Sequence, residues 1–249
     1  MNVLLKDKTV VVTGAGAGIG LGIVRQCIMA GANVIGIERD ENRLVRIEAE
    51  GARGVHGDVG DAEAFPSLLQ RLWENRGPIH GLVNNAGITI EKPLEEMSLE
   101  EMELLWRVNQ RSVLLSVQAL APLMSGNGGG SVVNIASNHA RASGTGYEAY
   151  AGTKGAIVAM SRAMAWSYGR QGIRVNALCP GLTMTEAVAD AARDPALAAR
   201  FRAWHANQRV NTVDEIGQAA AFLLSDAASA FTGADLIADQ GMSSRLGDI

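Results

Sequence analysis

The sequence predicts an α/β protein built on a doubly wound parallel sheet, and three features point that way. Short runs rich in Val and Ile alternate with longer segments whose apolar residues recur at helical spacing. Most connections between them are short, as in β-α-β units whose helices cover both faces of a sheet. A glycine-rich turn stands between the first run and the first helical segment.

In chain order the strand runs are Thr9–Thr13, Asn33–Ile37, Gly54–His56, Leu82–Asn84, Ser131–Ile135, Arg174–Ala177 and Asp235–Ala238. The segments at helical spacing are Ile19–Ala30, Glu41–Glu50, Ala62–Asn75, Ser98–Met124, Ala149–Tyr168 and Val213–Leu224. One long interruption, Pro180 to Asn211, carries much of the aromatic and basic material. A stretch of that length inside a compact domain reads as a lid or binding segment, a late insertion at about 182–211.

Composition sets further bounds. The chain has 249 residues, and its 29 glycines make about 12% against an average of about 7%. They keep no triplet period, which excludes a collagen-like chain, and 47% hydrophobic with 19% charged residues excludes disorder. The length fits a single domain over 1–249. A net charge of −4 with scattered Lys and Arg gives no attraction to nucleic acid. Cys27 and Cys179 fit neither a disulfide framework nor a zinc site and read as buried thiols, and the four histidines lack metal-ligand spacing. The uncharged stretch Ser112–Ala140 is broken by Pro122 and by the glycines of Gly126–Gly130, short of the roughly 20 apolar residues of a membrane span. The N-terminus lacks the order of a secretory signal, so a soluble cytoplasmic protein is expected, with no metal, nucleic-acid or membrane partner.

The turn Thr13-Gly14-Ala15-Gly16-Ala17-Gly18-Ile19-Gly20 lies where a strand gives way to a helix. Glycine lets the backbone approach a pyrophosphate, and the free amides of the helix start supply donors and partial positive charge. Glu38 closes the second strand, where a carboxylate can accept from both hydroxyls of an adenosine ribose and repel a 2′-phosphate. That favours NAD over NADP. Arg39 argues the other way, since a guanidinium can clamp the phosphate, but Ala17 offers it no basic partner.

With Asn84-Asn85-Ala86-Gly87, Asn109, Ser137, Tyr150-Ala151-Gly152-Thr153-Lys154 and Pro180-Gly181 following in order, the chain resembles a classical short-chain dehydrogenase/reductase over nearly its whole length. The resemblance implies a Rossmann-like sheet of seven parallel strands, a nicotinamide coenzyme, and a homotetramer or dimer. It assigns the coenzyme to Gly14, Gly16, Ala17, Gly18, Ile19, Gly20, Glu38, Arg39, Asp58, Val59, Asn85, Ala86, Gly87, Tyr150, Lys154, Pro180, Gly181 and Thr183. Asp58 and Val59 should line the adenine, and Thr183 should contact the nicotinamide carboxamide. It also implies that Ser137 holds the substrate oxygen and that Asn109 binds a water in a proton relay from Lys154. One departure is Asp239-Gln240-Gly241, where the family usually has Asp-Gly-Gly.

The residues themselves support alcohol chemistry. Hydride transfer from an alcohol needs a group that takes the hydroxyl proton, and a phenol with an ordinary pKa of about 10 is a poor base at neutral pH. Lys154 lies four residues after Tyr150, so on a helix both share one face and the ammonium is expected to lower the phenol's pKa. The chain has only four lysines, which makes this spacing specific. Around the pair, Asn138, His139, Arg141 and Tyr147 are polar, and the insertion brings Trp204 and His205; His139, Tyr147, Trp204 and His205 join Ser137 as candidate substrate contacts. A small sugar, polyol or hydroxy acid suits them. The alternatives are a 3-oxoacyl-carrier-protein reductase, whose acidic partner needs a basic edge that the uncharged Met124–Gly130 lacks, and a non-catalytic NAD sensor, which would be expected to lose Ser137, Tyr150 or Lys154. The low charge of Ser98–Met124 and Ala149–Tyr168, with Ala151, Ala156, Ala159 and Ala163 on the second, suits packing between subunits of a tetramer.

Overall fold

The computed structural model describes residues 4–245. Seven parallel strands, β1 (Thr9–Thr13), β2 (Asn33–Glu38), β3 (Arg53–His56), β4 (Gly81–Asn84), β5 (Gly130–Ile135), β6 (Ile173–Pro180) and β7 (Asp235–Ala238), lie in the order β3-β2-β1-β4-β5-β6-β7. β1 pairs with β2 from Thr9↔Asn33 to Thr13↔Ile37 and with β4 from Val10↔Gly81 to Val12↔Val83. The strand order reverses between β1 and β4, so their following loops part company and leave a crevice beyond the carboxyl ends.

The central strands β1, β4 and β5 are buried and rich in Val, Ile and Leu because both faces are covered, whereas the edge strands β3 and β7 are partly exposed. Val10, Val12, Val83, Val133 and Leu178 join a core with α1 (Gly18–Met29) and α9 (Val213–Leu224). Their neighbours Val11, Leu82, Val132 and Val175 join the opposite core with α3 (Ala64–Arg76), α5 (Ser112–Gly126) and α6 (Glu148–Tyr168). Full burial of such side chains contributes about 1.5–3 kcal/mol each. Gly22 and Gly217 let α1 and α9 touch backbone to backbone, since a Cβ on Gly217 would stand 2.5 Å from the Gly22 carbonyl oxygen.

Three expectations about helices change. Glu41–Glu50 divides into a 3-10 turn, Glu41–Arg43, and the short α2 (Leu44–Ala49). Ser98–Met124 is helical from Leu99 onward, as expected, but not regular: α4 (Leu99–Leu105) passes through a π-helical turn, Trp106–Arg111, into α5. The late insertion contains α7 (Glu186–Ala191), capped by Thr185, and α8 (Pro195–Ala203), capped by Asp194. These two escape a search for apolar periodicity because α7 buries no residue and α8 buries only Phe201. No helix among the described residues is long and apolar enough to cross a membrane. Cys27 and Cys179 are free and buried, as expected, and burial pushes the Cys27 thiol up to about 12.

A chain of side-chain hydrogen bonds crosses the middle of the sheet. Ser116 donates to Asn84 Oδ1 (2.7 Å), Asn84 Nδ2 to Asn134 Oδ1 (2.8 Å), and Asn134 Nδ2 to Ser161 Oγ (2.9 Å). All four residues are buried, so losing one member strands the others without water. Asn134→Ala is expected to cost about 2–3 kcal/mol in urea unfolding, and a cost under about 0.5 kcal/mol contradicts this role.

Candidate active site

The turn after β1 is shaped by its glycines. Gly14 and Gly18 take φ of +61° and +51°, and a Cβ on Gly20 would lie 2.0 Å from the Gly14 carbonyl oxygen. Thr13 and Asn85 hold this turn against the one after β4. The Thr13 hydroxyl accepts from the Asn85 and Ala86 amides (both 3.1 Å), and Asn85 Nδ2 donates to the carbonyls of Thr13 (2.9 Å) and Gly14 (3.0 Å). Glu38, 8% exposed, accepts from the amides of Gly16 (3.0 Å), Arg39 (2.9 Å) and Asp40 (3.1 Å). Its negative charge is thus fixed at the end of β2 beside the glycine turn.

A cleft of roughly 660 Å³ runs along these turns to Ser137, Tyr150 and Lys154. Every residue that the sequence suggested for the coenzyme lines it except Gly16 and Thr183. Gly16 contributes its amide to Glu38 instead. Thr183 is buried, donates its hydroxyl to the Gly181 carbonyl (2.9 Å) and bridges to Asn211 in backbone pairing; Thr185, two residues on, takes the wall position. An elongated cleft with glycine-cleared backbone, a helix start and a fixed carboxylate fits a dinucleotide.

The three reacting groups come from two elements. β5 delivers Ser137 just past its end, and α6 carries Tyr150 and Lys154 one turn apart. Lys154 Nζ donates to the Ile135 carbonyl (3.0 Å) and lies 5.7 Å from the centre of the Tyr150 ring. Burial lowers the Lys154 ammonium to about 8. Burial likewise raises the Tyr150 phenol above its ordinary range, while the Ser137 and Thr89 hydroxyls pull it back down. This corrects the sequence expectation of a lowered phenol, because in the protein alone desolvation outweighs the pull of the two hydroxyls. Thr89 was not foreseen. It follows the Asn85-Ala86-Gly87 turn, and no spacing ties it to Tyr150.

Asn109 sits in the π-helical turn, 1% exposed. Its side chain accepts from the Ile88 amide (2.9 Å) and donates to the Ile88 carbonyl and Thr153 hydroxyl (both 3.0 Å). The amide therefore clamps the turn after β4 to α6. A π-turn here re-aims one residue inward where a regular helix would not, a known use of such turns at functional sites.

The candidate substrate contacts divide. His139 and Tyr147 flank Tyr150, with ring centres 5.5 Å and 6.2 Å from it and 4.4 Å from each other. Tyr147 donates to Glu91 Oε2 at 2.6 Å, and His139 Nδ1 meets the Ser143 hydroxyl at 2.9 Å. Burial and Glu91 together push Tyr147 up to about 12, and burial lowers His139. Trp204 and His205 are corrections. Trp204 stacks on Phe201 at 5.3 Å, and His205 is buried with Nδ1 donating to the Phe201 carbonyl (2.7 Å). Neither lines the cleft, and His139 and Tyr147 do not line it either but stand beside Tyr150, which does. Gln240, in the departure from the usual pattern, takes a φ of +53°, which favours glycine; its side chain accepts from Asn207 at 2.5 Å and its carbonyl from the Ala206 amide.

The burial of Lys154 has a measurable signature. Its ammonium falls from an ordinary 10.5 to about 8, so between those values the unfolded chain binds more protons and stability rises with pH. Below about pH 8 the buried charge is a cost. Lys154→Met is expected to be more stable than the parent at pH 7 by about 2 kcal/mol, with the advantage shrinking toward pH 10. Urea unfolding across pH checks this; a variant less stable at pH 7 contradicts it.

Comparison with known proteins accords with this geometry. A family model described as enoyl-(acyl carrier protein) reductase matches residues 14–243. D-threitol dehydrogenase of Mycolicibacterium smegmatis is 33% identical over 95% of this chain and 93% of its own. L-xylulose reductase of Caenorhabditis elegans is 35% identical over 95% and 96%. A crystal structure of a gluconate 5-dehydrogenase from Burkholderia cenocepacia, in complex with NADP and tartrate, superposes with a TM-score of 0.91 at 31% identity, covering 98% of each chain. Similarity that runs from end to end, in sequence and in sheet, places this chain in the classical short-chain dehydrogenase/reductase family, the NAD(P)-dependent oxidoreductases of CH–OH groups.

Proposed function

We propose that the protein interconverts a secondary alcohol and a ketone on a small neutral sugar or polyol, using NAD. The observation that carries this reading is the meeting of Ser137, Tyr150 and Lys154 in the same cleft as the glycine turn. When bound, the nicotinamide supplies a two-electron hydride acceptor or donor. In oxidation the hydroxyl proton passes to Tyr150 Oη as the carbinol hydride departs, and reduction reverses both movements. Ser137 Oγ donates to the reacting oxygen and favours it over other hydroxyls. Lys154 contributes positive charge beside the phenol and, through Ile135, keeps that charge in place. Asn109 positions the turn after β4 and α6, and it is the residue assigned to the relay water.

Glu38 supports NAD. A buried carboxylate tied by three amides repels a 2′-phosphate and has no freedom to swing away. Arg39, Arg43 and Arg46 line the same end, and the Burkholderia relative holds NADP, so the preference is for NAD without exclusion of NADP. Glu91 supports a neutral substrate. Paired with Tyr147 next to the catalytic phenol, it can accept from substrate hydroxyls and repels a substrate carboxylate. Met124–Gly130 gives a carrier protein no basic edge. Assembly as a homotetramer is supported by Leu114 on α5 and Trp166 on α6, which are 44% and 89% exposed in the single chain. Buried, reduced thiols and use of NAD suit the cytoplasm.

A turnover screen tests the reading, pairing each sugar or polyol with its acid, such as a sugar with its aldonic acid. The neutral member is expected to react faster, and NAD to give a kcat/KM at least about tenfold above NADP, the equivalent of ~1.4 kcal/mol. Tyr150→Phe should remove turnover while NADH binding, followed by fluorescence, stays within about twofold. Unchanged turnover in Tyr150→Phe sinks the mechanism, and faster reaction of the acids sinks the role given to Glu91.

A further inference from the structure

The N-terminus of α1 already holds an anion. Glu186, the first residue of α7, accepts from the Gly18 amide at Oε2 (3.1 Å), and its Oε1 pairs with Arg46 Nη2. Gly18 opens a helix of 12 residues, so this carboxylate sits at the end that attracts negative charge. Arg46, followed by backbone amides that include Gly18, holds the Glu186 carboxyl below the usual carboxylate range. Gly18, Arg46 and Glu186 all line the cleft read above as the coenzyme's.

Little else secures α7. None of its residues is buried, and the side chains of Arg46 and Glu186 are 39% and 53% exposed. Exposed ion pairs are weak holds, so this helix can leave the glycine turn at small cost. A dinucleotide's pyrophosphate calls on the same groups, amide donors at a helix start and a nearby cation. It cannot share them with a carboxylate, because like charges at contact repel.

We infer that Glu186 is an internal competitor seated in the coenzyme's phosphate position, and that Arg46 is the cation the phosphates take over when Glu186 leaves. The inference rests on the dinucleotide reading of the cleft. It makes coenzyme binding and displacement of α7 two sides of one exchange. The insertion is then tied to the coenzyme through Glu186, and Trp204 and His205 have no part in that tie.

Calorimetric titration with ADP and with adenosine separates the phosphate effect from the rest of the nucleotide. Glu186→Gln keeps the shape and removes the charge, and it is expected to bind ADP about five- to twentyfold more tightly than the parent. Arg46→Gln should bind ADP at least about fivefold more weakly. Adenosine, which has no phosphate, should bind all three proteins within about twofold of one another. Both side chains are on the surface, and thermal unfolding checks that each variant is folded. A Glu186→Gln protein that binds ADP no more tightly than the parent, or an Arg46→Gln protein that binds it equally well, overturns the assignment. A parent protein that binds neither ADP nor NADH overturns the dinucleotide reading itself, which is a different result from a parent that binds both with variants that match it.

Discussion

The hydrogen bonds between Thr13 and Asn85 tie the turn after β1 to the turn after β4, and the cleft takes its shape from that tie. Parallel pairing of β1 with β4 brings the two turns side by side, but nothing in a ladder of strands fixes how loops beyond it sit. The Thr13 hydroxyl and Asn85 amide supply four bonds across the gap. They also consume polar groups that would otherwise face into the cleft unpaired. Glu38 then anchors the glycine turn from the β2 side through the Gly16 amide. The backbone that would receive a pyrophosphate is held from two directions, which is the preorganisation a binding site needs.

A second set of bonds does the same for the reacting groups. Asn109 reaches from the π-helical turn to Ile88 and to Thr153 on α6, so the loop after β4 and the helix bearing Tyr150 move together. Lys154 is fixed by the Ile135 carbonyl at the end of β5, next to Ser137. Burial works against both ionisable groups, holding the phenol up and the ammonium down. A site with its charged forms disfavoured in this way costs stability for the sake of chemistry, the usual trade at catalytic positions. The positive charge that arrives with an oxidised nicotinamide acts in the direction the site lacks, favouring the phenolate.

Much of this was legible in the sequence because its signals are local. The glycine turn, the Tyr150 to Lys154 spacing and the strand ends that carry Glu38 and Ser137 each lie within one element or one turn. The central strand runs matched because two-sided burial favours Val and Ile, while the edge strands β3 and β7 are short and partly exposed. The cluster at Gly128 and Gly129, which the sequence left without a reason, is a left-handed turn packed on Gly172, where a Cβ on Gly129 would lie 2.2 Å from the Gly172 carbonyl oxygen. What the sequence hid depends on distant partners. Gly18 and Glu186 are 168 residues apart, and Glu91 and Tyr147 are 56 apart, with no motif linking either pair. Trp204 and His205 misled because aromatic residues in an insertion pack on one another as readily as they face a ligand. Thr183 is taken up by its bridge to Asn211, a partner 28 residues away that composition does not reveal.

Isotope transfer tests the central claim most directly. The protein is incubated with NAD and a polyol that turns over, carrying deuterium on the carbinol carbon, and the reduced coenzyme is analysed by mass spectrometry. The account predicts that the reduced coenzyme carries the deuterium, one mass unit above unlabelled NADH, and that the Tyr150→Phe variant, with coenzyme bound, transfers none. Reduced coenzyme that carries no deuterium, or transfer that persists undiminished in Tyr150→Phe, would contradict it.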